Sequence, residues 1–433
     1  MTARVRLAVL ALALASAPPA LAASPAYAAD APDCTQTSDS DVPQLTRQAS
    51  RPLELLGIDQ AQRLATGSGG LPGAGVTVAV VDSGIAPHDQ VTLARPQYSV
   101  STGTGPVRPL DYHGTALAGL IAGHARPDGR PVGIAPGARV VDVQVYGWAK
   151  GTSGQPSQPD RADLVAGLDR LARQARGLQV KVAVVPIAVT PDHSLAVAVR
   201  RLQAQGVLVV APSGNRPDPS DTLSPLAAYA TDRPGQDGYP DIGPANVPGV
   251  LVARTTAAGS TPAENPGSIP NHAVDVVVPT AGGISLALNG GTCVLTEPAT
   301  SWAAAEVGGI AALLFQRYAG DSPRQIAARI VDTASGTRGE GSDPGSGAET
   351  SRYFGAGVVQ PVDALTRPLT PAGGAFSSLR SSPDRTPPVG PPAEAGDVLQ
   401  HSRRTAIWAG LLGGAGIVVA SLLRPLLTRR TSR

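Results

Sequence analysis

The segment GVTVAVVDSGI (residues 75–85) decides the fold class, because it is an unbroken apolar run that stops at Asp82-Ser83-Gly84. Such a run is typical of a β-strand that is buried on both faces, as strands are in a parallel sheet. In sheets of this kind the functional side chains lie at the carboxyl ends of the strands, which is where Asp82 stands. The segment therefore predicts an α/β protein with a candidate functional carboxylate at a strand end.

Candidate strands and helices alternate along the rest of the chain. The further candidate strands are ARVVDVQVYG (138–147), VKVAVVPIAV (180–189), GVLVVAPSGN (206–215), GVLVARTT (249–256) and AVDVVVP (273–279). The candidate helices are PLELLGIDQAQRLAT (52–66), HGTALAGLIAGH (113–124), ADLVAGLDRLARQA (162–175), HSLAVAVRRLQAQG (193–206) and PATSWAAAEVGGIAALL (298–314). This alternation predicts a mainly parallel central sheet with helices on both of its faces.

Four polar residues could together carry out hydrolysis of an amide. Ser301 stands near the start of the last candidate helix, where a serine is most often just a cap. Asp82, His113 and Asn215 also have simple structural explanations when each is taken alone. Attack by a hydroxyl, however, requires a base, a carboxylate that orients the base, and a donor to the oxyanion. The four residues supply these groups, and we interpret Ser301 as the candidate nucleophile.

The two ends of the chain predict export and membrane anchoring. Residues 1–28 combine an arginine-bearing start, an apolar run and small residues at A-x-A spacing, which is typical of a signal peptide. The segment TAIWAGLLGGAGIVVASLL (405–423) has no charged residue and is long enough to span a bilayer of about 30 Å, although a buried core helix is the alternative. We predict one transmembrane helix at 404–424 and a short basic cytoplasmic tail at 425–433.

The remaining residues divide into three predicted parts. Residues 29–50 form an N-terminal extension, and residues 51–366 form the folded domain. Residues 367–403 are rich in Pro, Gly and Ser and are predicted to be an extended linker. The folded domain is therefore expected on the extracytoplasmic side of the cell membrane, tethered through the linker.

Charge and cysteine content exclude some function classes. The chain has 35 basic and 33 acidic residues, and eight of its arginines lie in the first six and last 32 residues, so the body of the chain is mildly acidic and has no basic footprint for nucleic acid. Its two cysteines, Cys34 and Cys293, suit one disulfide in an exported protein. The histidines lack metal-ligand spacing and no acidic cluster fits calcium, so we expect no metal and no cofactor.

The order Asp, His, Asn, Ser and its surrounding motifs resemble the subtilisin family of serine proteases. The motifs are VAVVDSGI, HGTALAGLIAG, VVAPSGN and ATSWAAAEVGGIAALL, and the likeness extends over residues 50–366. The stretch LELLGIDQAQRLATG…GAGVTVAVVDSGI, together with the signal peptide, linker and single span, is similar to the mycosins. Those are membrane-anchored subtilases of actinobacterial type VII secretion systems. The resemblance implies a three-layer α/β sandwich with a serine endopeptidase activity.

The resemblance also implies a role for each matching residue. Asp82 would orient His113, which would act as the general base, while Ser301 attacks and Asn215 donates to the oxyanion. The backbone of the run Ala188-Val189-Thr190 would pair with the substrate as an added strand. The implied partners are a protein substrate and the membrane components of a type VII secretion system. A scaffold role in that complex, with weak or dispensable proteolysis, is the alternative.

Several positions depart from the family pattern, and three of them bear directly on the site. Ala299 stands where the family has glycine. It would be strained if that position required a positive φ, and it would crowd the site if the substrate approached closely there. Thr190 also replaces a glycine, which would narrow the substrate groove. Glu306 is unusual in a helix that we expect to be buried, where it would perturb the site or pair with an arginine.

Overall fold

The computed structural model describes residues 31–67, 69–103, 107–124, 129, 131–150, 155–221, 224–256, 267–335 and 351–369. The predicted signal peptide, transmembrane helix and basic tail lie outside these residues, as does the predicted linker after residue 369. Among the described residues, no helix is both long enough and apolar enough to cross a membrane.

A parallel sheet of seven strands forms the centre of the described structure. Its strands are β1 (Thr77–Asp82), β2 (Tyr98–Ser99), β3 (Arg139–Gln144), β6 (Val180–Val184), β7 (Leu208–Pro212), β8 (Leu251–Thr256) and β9 (Val276–Pro279). They lie in the order β2-β3-β1-β6-β7-β8-β9, and every neighbouring pair is parallel. Two short antiparallel pairs lie outside this sheet: β4 (Ala149–Lys150) with β5 (Gln155–Pro156), and β10 (Gly283–Leu286) with β11 (Thr292–Leu295). The predicted mainly parallel sheet is confirmed.

Helices cover both faces of the sheet because its strands are apolar on both sides. In β1, Val78 and Val80 pack into one apolar cluster, while Ala79 and Val81 pack into the other. The first cluster includes α1 (Arg51–Leu55), α2 (Ile58–Thr66), α3 (His113–Ala122), α6 (Thr300–Arg317), α7 (Pro323–Thr333) and α8 (Pro361–Thr366), and the second includes α4 (Arg161–Gln174) and α5 (His193–Gln203).

Helix α6 is buried along nearly its whole length, which explains its alanine- and glycine-rich sequence. Residues 300–315 of the helix are all buried. A Cβ at Gly308 would collide with the side chain of Val184, so the helix approaches β6 closely only because this residue has no side chain. The same close packing brings the first turn of α6 toward the carboxyl ends of the strands.

Several element boundaries differ from the sequence-based prediction, and two of the differences have a clear structural cause. The helix predicted over 52–66 is interrupted, because Gly57 adopts a left-handed conformation with φ of 61° and separates α1 from α2. The strand predicted over 180–189 ends at Val184. Pro186 lacks the backbone N–H that would be needed to continue the ladder.

The N-terminal extension is tied to the hairpin of β10 and β11. Cys34 and Cys293 form a disulfide that joins residues 259 positions apart. Backbone hydrogen bonds from Val294 to Pro32 and from Thr292 to Gln44 continue the contact on either side of the disulfide. The extension therefore approaches the chain just before α6, where Ser301 lies.

Candidate active site

Asp82 and His113 meet where β1 ends and α3 begins. Nδ1 of His113 lies 2.9 Å from Oδ1 of Asp82, whose side chain is fully buried. The contact depends on glycine, because a Cβ at Gly114 would collide with the carbonyl oxygen of Gly84. Gly84 in turn has a φ of 95°, which lets the chain turn away immediately after β1. The local motifs VDSG and HG thus bring a carboxylate and an imidazole together.

The surroundings of His113 favour its protonated form. Partial burial alone would lower the pKa of the imidazole, but the negative charge of Asp82, its hydrogen bond and the nearby Asp111 outweigh burial and raise the pKa of His113. Oδ1 of Asp111 accepts the backbone N–H of His113 at 2.8 Å, and burial raises the pKa of this second carboxyl group. Because Nδ1 is held by Asp82, Nε2 is the ring nitrogen that remains to accept a proton.

Ser301 lies in the first turn of α6, and it is not the cap of that helix. The N-cap is Ala299, and its side chain makes no capping hydrogen bond. Ser301 is 4% exposed and borders a cavity of about 590 Å³ that is also lined by His113 and Asn215. Within the described residues no hydrogen bond joins Ser301 to His113, and the imidazole packs against Trp302 with 4.7 Å between ring centroids. In unliganded sites such catalytic contacts are often long.

Asn215 is anchored to the start of α6 and retains a donor. It follows β7, and its Oδ1 accepts hydrogen bonds from the backbone N–H of Thr300 at 2.8 Å and from its hydroxyl at 3.0 Å. These contacts orient the side chain, which lines the same cavity as Ser301. The amide nitrogen of Asn215 is therefore available to donate to an atom bound beside Ser301.

Tyr146 is a site residue that the sequence analysis did not single out. Its hydroxyl lies 3.1 Å from Oδ1 of Asp82 and 3.3 Å from Nδ1 of His113. Burial and the charge of Asp82 raise the pKa of Tyr146 well above its usual value, so the phenol stays neutral. The sequence did contain a signal for Tyr146, since this residue comes just after β3, which pairs with β1. Because the carboxyl ends of neighbouring parallel strands lie together, Tyr146 could have been predicted to lie near Asp82.

A second buried carboxyl group lies beneath Asp82. Asp142 is on β3, and burial together with the charge of Asp82 raises its pKa to about 7. Its Oδ2 accepts the backbone N–H of Ile85 at 3.1 Å, and Gln144 donates to the carbonyl oxygen of Ser83 at 2.9 Å. These two side chains of β3 hold the turn that follows Asp82.

The backbone of the run Ala188-Val189-Thr190 is hydrogen-bonded to neighbouring parts of the chain. Val189 exchanges two backbone hydrogen bonds with Gly243, at 3.0 and 2.9 Å. The carbonyl of Thr190 accepts a hydrogen bond from Arg161 at 3.3 Å. None of the three residues lines the cavity that contains Ser301, so their substrate-binding role stays a prediction.

The structure gives the backbone conformation of Ala299 and the surroundings of Glu306. Ala299 has φ of −135° and ψ of 148°, an extended conformation that any residue adopts, so alanine causes no strain there. Glu306 is completely buried in α6, and neither carboxyl oxygen has a hydrogen-bond partner in the part of the chain that the structure describes. Burial raises the pKa of Glu306 well above its usual value. The carboxyl group is therefore neutral rather than paired with an arginine.

The N-terminal extension contributes part of the cavity wall. Asp33, Thr35 and Gln36, on either side of the disulfide residue Cys34, line the cavity. Asp33 is fixed by Thr296, whose hydroxyl donates to it at 2.7 Å. Among the described residues, no group of three or more His, Cys, Asp or Glu side chains is arranged to hold a metal ion.

The sequence and the structure of this chain were compared with those of known proteins, and the matches agree on one family. Residues 73–357 match the model described as the subtilase family, Peptidase_S8. Mycosin-1 of Mycobacterium tuberculosis is 29% identical over 413 residues, which cover 87% of this chain and 84% of that protein. The crystal structure of MycP1 with the N-terminal propeptide removed has a TM-score of 0.56 and 27% identity, covering 74% of this chain and 99% of that chain. The crystal structure of MycP1 from the ESX-1 type VII secretion system has a TM-score of 0.57 and 26% identity, and the match covers 78% of this chain and 93% of that chain.

Proposed function

Because the chain belongs to the subtilase family and is a serine endopeptidase, we propose that it hydrolyses peptide bonds with Asp82, His113 and Ser301 as its catalytic triad. We further propose that it works outside the cytoplasm, anchored to the cell membrane by residues 404–424, beside a type VII secretion complex. The observation that carries the triad is the 2.9 Å contact between Asp82 and His113 next to the cavity that Ser301 borders.

The geometry supports the following sequence of steps. The hydroxyl oxygen of Ser301 attacks the carbonyl carbon of the substrate, and its proton passes to Nε2 of His113. Asp82 stabilises the imidazolium that forms and keeps the ring oriented through Nδ1. The amide of Asn215 and the backbone N–H of Ser301 donate to the oxyanion. His113 then protonates the leaving amine and activates the water that hydrolyses the acyl-enzyme.

The substrate strand is proposed from the backbone alternation at residues 188–190. Neighbouring residues of a strand direct their N–H and C=O groups to opposite edges. Because Val189 is paired with Gly243, the groups of Ala188 and Thr190 are directed to the other edge, where an extended peptide can add as a strand. Arg161 donates to the carbonyl oxygen of Thr190 in the structure, and a substrate amide would share this oxygen with Arg161 or displace it.

A fluorophosphonate probe tests the nucleophile without knowledge of the substrate. We expect the wild-type full chain in detergent to be labelled at Ser301 and Ser301→Ala to show no labelling. Ser322→Ala is the matched control, because Ser322 is a serine that really does cap a helix, α7. It should retain labelling with a stability loss of about 1 kcal/mol. Labelling that persists in Ser301→Ala would exclude this residue as the nucleophile.

A scaffold role is the second candidate, and the departure of the substrate-binding run from the family pattern, with Thr190 in place of glycine, favours it. In that case secretion in the native host should survive Ser301→Ala but fail when residues 404–424 are deleted. If Ser301→Ala also abolishes secretion while that variant still reaches the membrane, proteolysis itself is required.

A further inference from the structure

Oxygen Oδ1 of Asp82 receives two hydrogen bonds, and only one of them comes from His113. The other donor is the hydroxyl of Tyr146, at 3.1 Å. Oδ2 of Asp82 is buried and has no hydrogen-bond partner among the described residues. A buried carboxylate with unmet acceptors is unfavourable, so each donor that it does have contributes strongly to its position.

The sheet itself brings Tyr146 to this position. β1 and β3 are paired so that Asp82 lies opposite Gln144, and the backbone N–H of Val145 donates to the carbonyl of Asp82 at 2.8 Å. At Gly147 the chain turns with φ of 84°, and a Cβ there would lie 2.7 Å from the Cβ of Ser83. The tyrosine is thus held beside the carboxylate by the backbone rather than by a mobile loop.

The direction of the Tyr146 hydrogen bond follows from the protonation states. The phenol stays neutral because burial and the charge of Asp82 raise the pKa of Tyr146 well above its usual value. Nδ1 of His113 carries a hydrogen when it bonds to Asp82, so it cannot accept from the hydroxyl that lies 3.3 Å away. The hydroxyl therefore donates to Asp82.

We propose that Tyr146 is a positioning residue of the reaction: its hydroxyl fixes the Asp82 carboxylate against His113 and draws off part of the negative charge that the imidazole experiences. The proposal rests on the proposed function of Asp82, His113 and Ser301. It predicts that loss of the hydroxyl makes the carboxylate more negative toward the imidazole and disturbs its orientation at the same time.

Other groups around the pair remain in place when the Tyr146 hydroxyl is removed. Asp111 approaches His113 from the segment before α3, and the uncharged Trp302 packs on the ring from α6. Asp142 faces Asp82 from β3, and Tyr112 precedes the imidazole. Since these groups are common to the wild type and the variant, a change in the pH profile reports the Tyr146 hydrogen bond.

The test measures the rate of fluorophosphonate labelling of the full chain in detergent between about pH 5 and pH 9, where a histidine titrates. Tyr146→Phe should move the acid-side midpoint upward by about half to one pH unit, because a more negative Asp82 favours the imidazolium. The rate on the plateau should fall several-fold, since the carboxylate is less well oriented. A residue needed only for folding would lower the amount of active protein and leave the midpoint unchanged.

Tyr229→Phe is the matched control. Tyr229 is also a buried tyrosine whose hydroxyl donates to an aspartate, Asp241 at 2.6 Å, but it has no contact with His113. Tyr229→Phe should leave the midpoint at the wild-type value. It should lose about as much stability as Tyr146→Phe does, and the melting temperature of each variant measures this loss. Should the midpoint of Tyr146→Phe equal that of the wild type or lie below it, the proposal is overturned.

Three further outcomes are also decisive. If Tyr146→Phe does not fold, 3-fluorotyrosine incorporated at position 146 supplies a stronger donor and should lower the midpoint, and an unchanged midpoint would overturn the proposal. If wild-type protein is not labelled at Ser301 at any pH, the proposed function fails and this proposal fails with it. Labelling of Ser301 with no effect of either change at Tyr146 rejects the positioning role alone.

Discussion

Replacing Glu306 by glutamine should remove a pH dependence that is built into the buried helix α6. The side chain of Glu306 is completely buried, and neither oxygen has a partner in the described part of the chain, so burial raises its pKa well above the usual value. In the unfolded chain the group ionises near pH 4.3. The unfolded state therefore releases a proton that the folded state retains, and stability falls as pH rises between the two pKa values.

The size of the effect follows from proton linkage. Each pH unit between the unfolded and folded pKa values lowers the free energy of unfolding by about 1.4 kcal/mol, or by about 2.7 kcal/mol over two units. Glu306→Gln has nearly the same shape and carries no titrating proton. From about pH 5 upward, the free energy of unfolding of Glu306→Gln should therefore increase relative to that of the wild type by about 1.4 kcal/mol per pH unit. The amide adds only an offset that does not depend on pH.

Urea unfolding of the full chain in detergent, followed by far-UV circular dichroism at pH 5, 6, 7 and 8, measures this difference. Other titrating groups such as His113 and Asp142 are present in both proteins, so their contributions cancel. Glu54→Gln, at an exposed position of α1, is the control for replacing a glutamate by glutamine outside the buried core. A difference between Glu306→Gln and the wild type that is constant across pH would show that Glu306 is ionised or partnered in the folded protein, and would refute the reasoning.

Two other predictions concern the oxyanion donor and the disulfide. Asn215→Ala should reduce the rate of fluorophosphonate labelling by about 10²–10³, the loss known for the corresponding donor of subtilisin, and a wild-type rate would exclude Asn215 from this role. Replacing both Cys34 and Cys293 by serine should lower the free energy of unfolding by up to about 5 kcal/mol, because the disulfide closes a very long loop. Unchanged urea midpoints with and without the two replacements would contradict this estimate.

Much of the fold could be predicted because its signals are local. The run before Asp82 is apolar on both faces, and the structure confirms a strand within a parallel sheet. The helix boundary at His113 was also predicted. The break at Gly57 was not, because helical spacing of the apolar residues continues across it and only the left-handed φ of this residue separates α1 from α2. The boundaries predicted for the linker and the transmembrane helix stay predictions.

The sequence by itself determined the family and the candidate residues of the site, since strand ends and helix starts are encoded by neighbouring residues. Only the tertiary structure decided what surrounds them. The hydrogen bond between Tyr146 and Asp82 joins residues 64 positions apart in the sequence. It forms because the pairing of β1 with β3 brings the ends of these two strands side by side. The neutral state of Glu306 likewise depends on the helices and strands packed around α6. Burial and long-range contacts arise from the whole chain together, and no local pattern contains them.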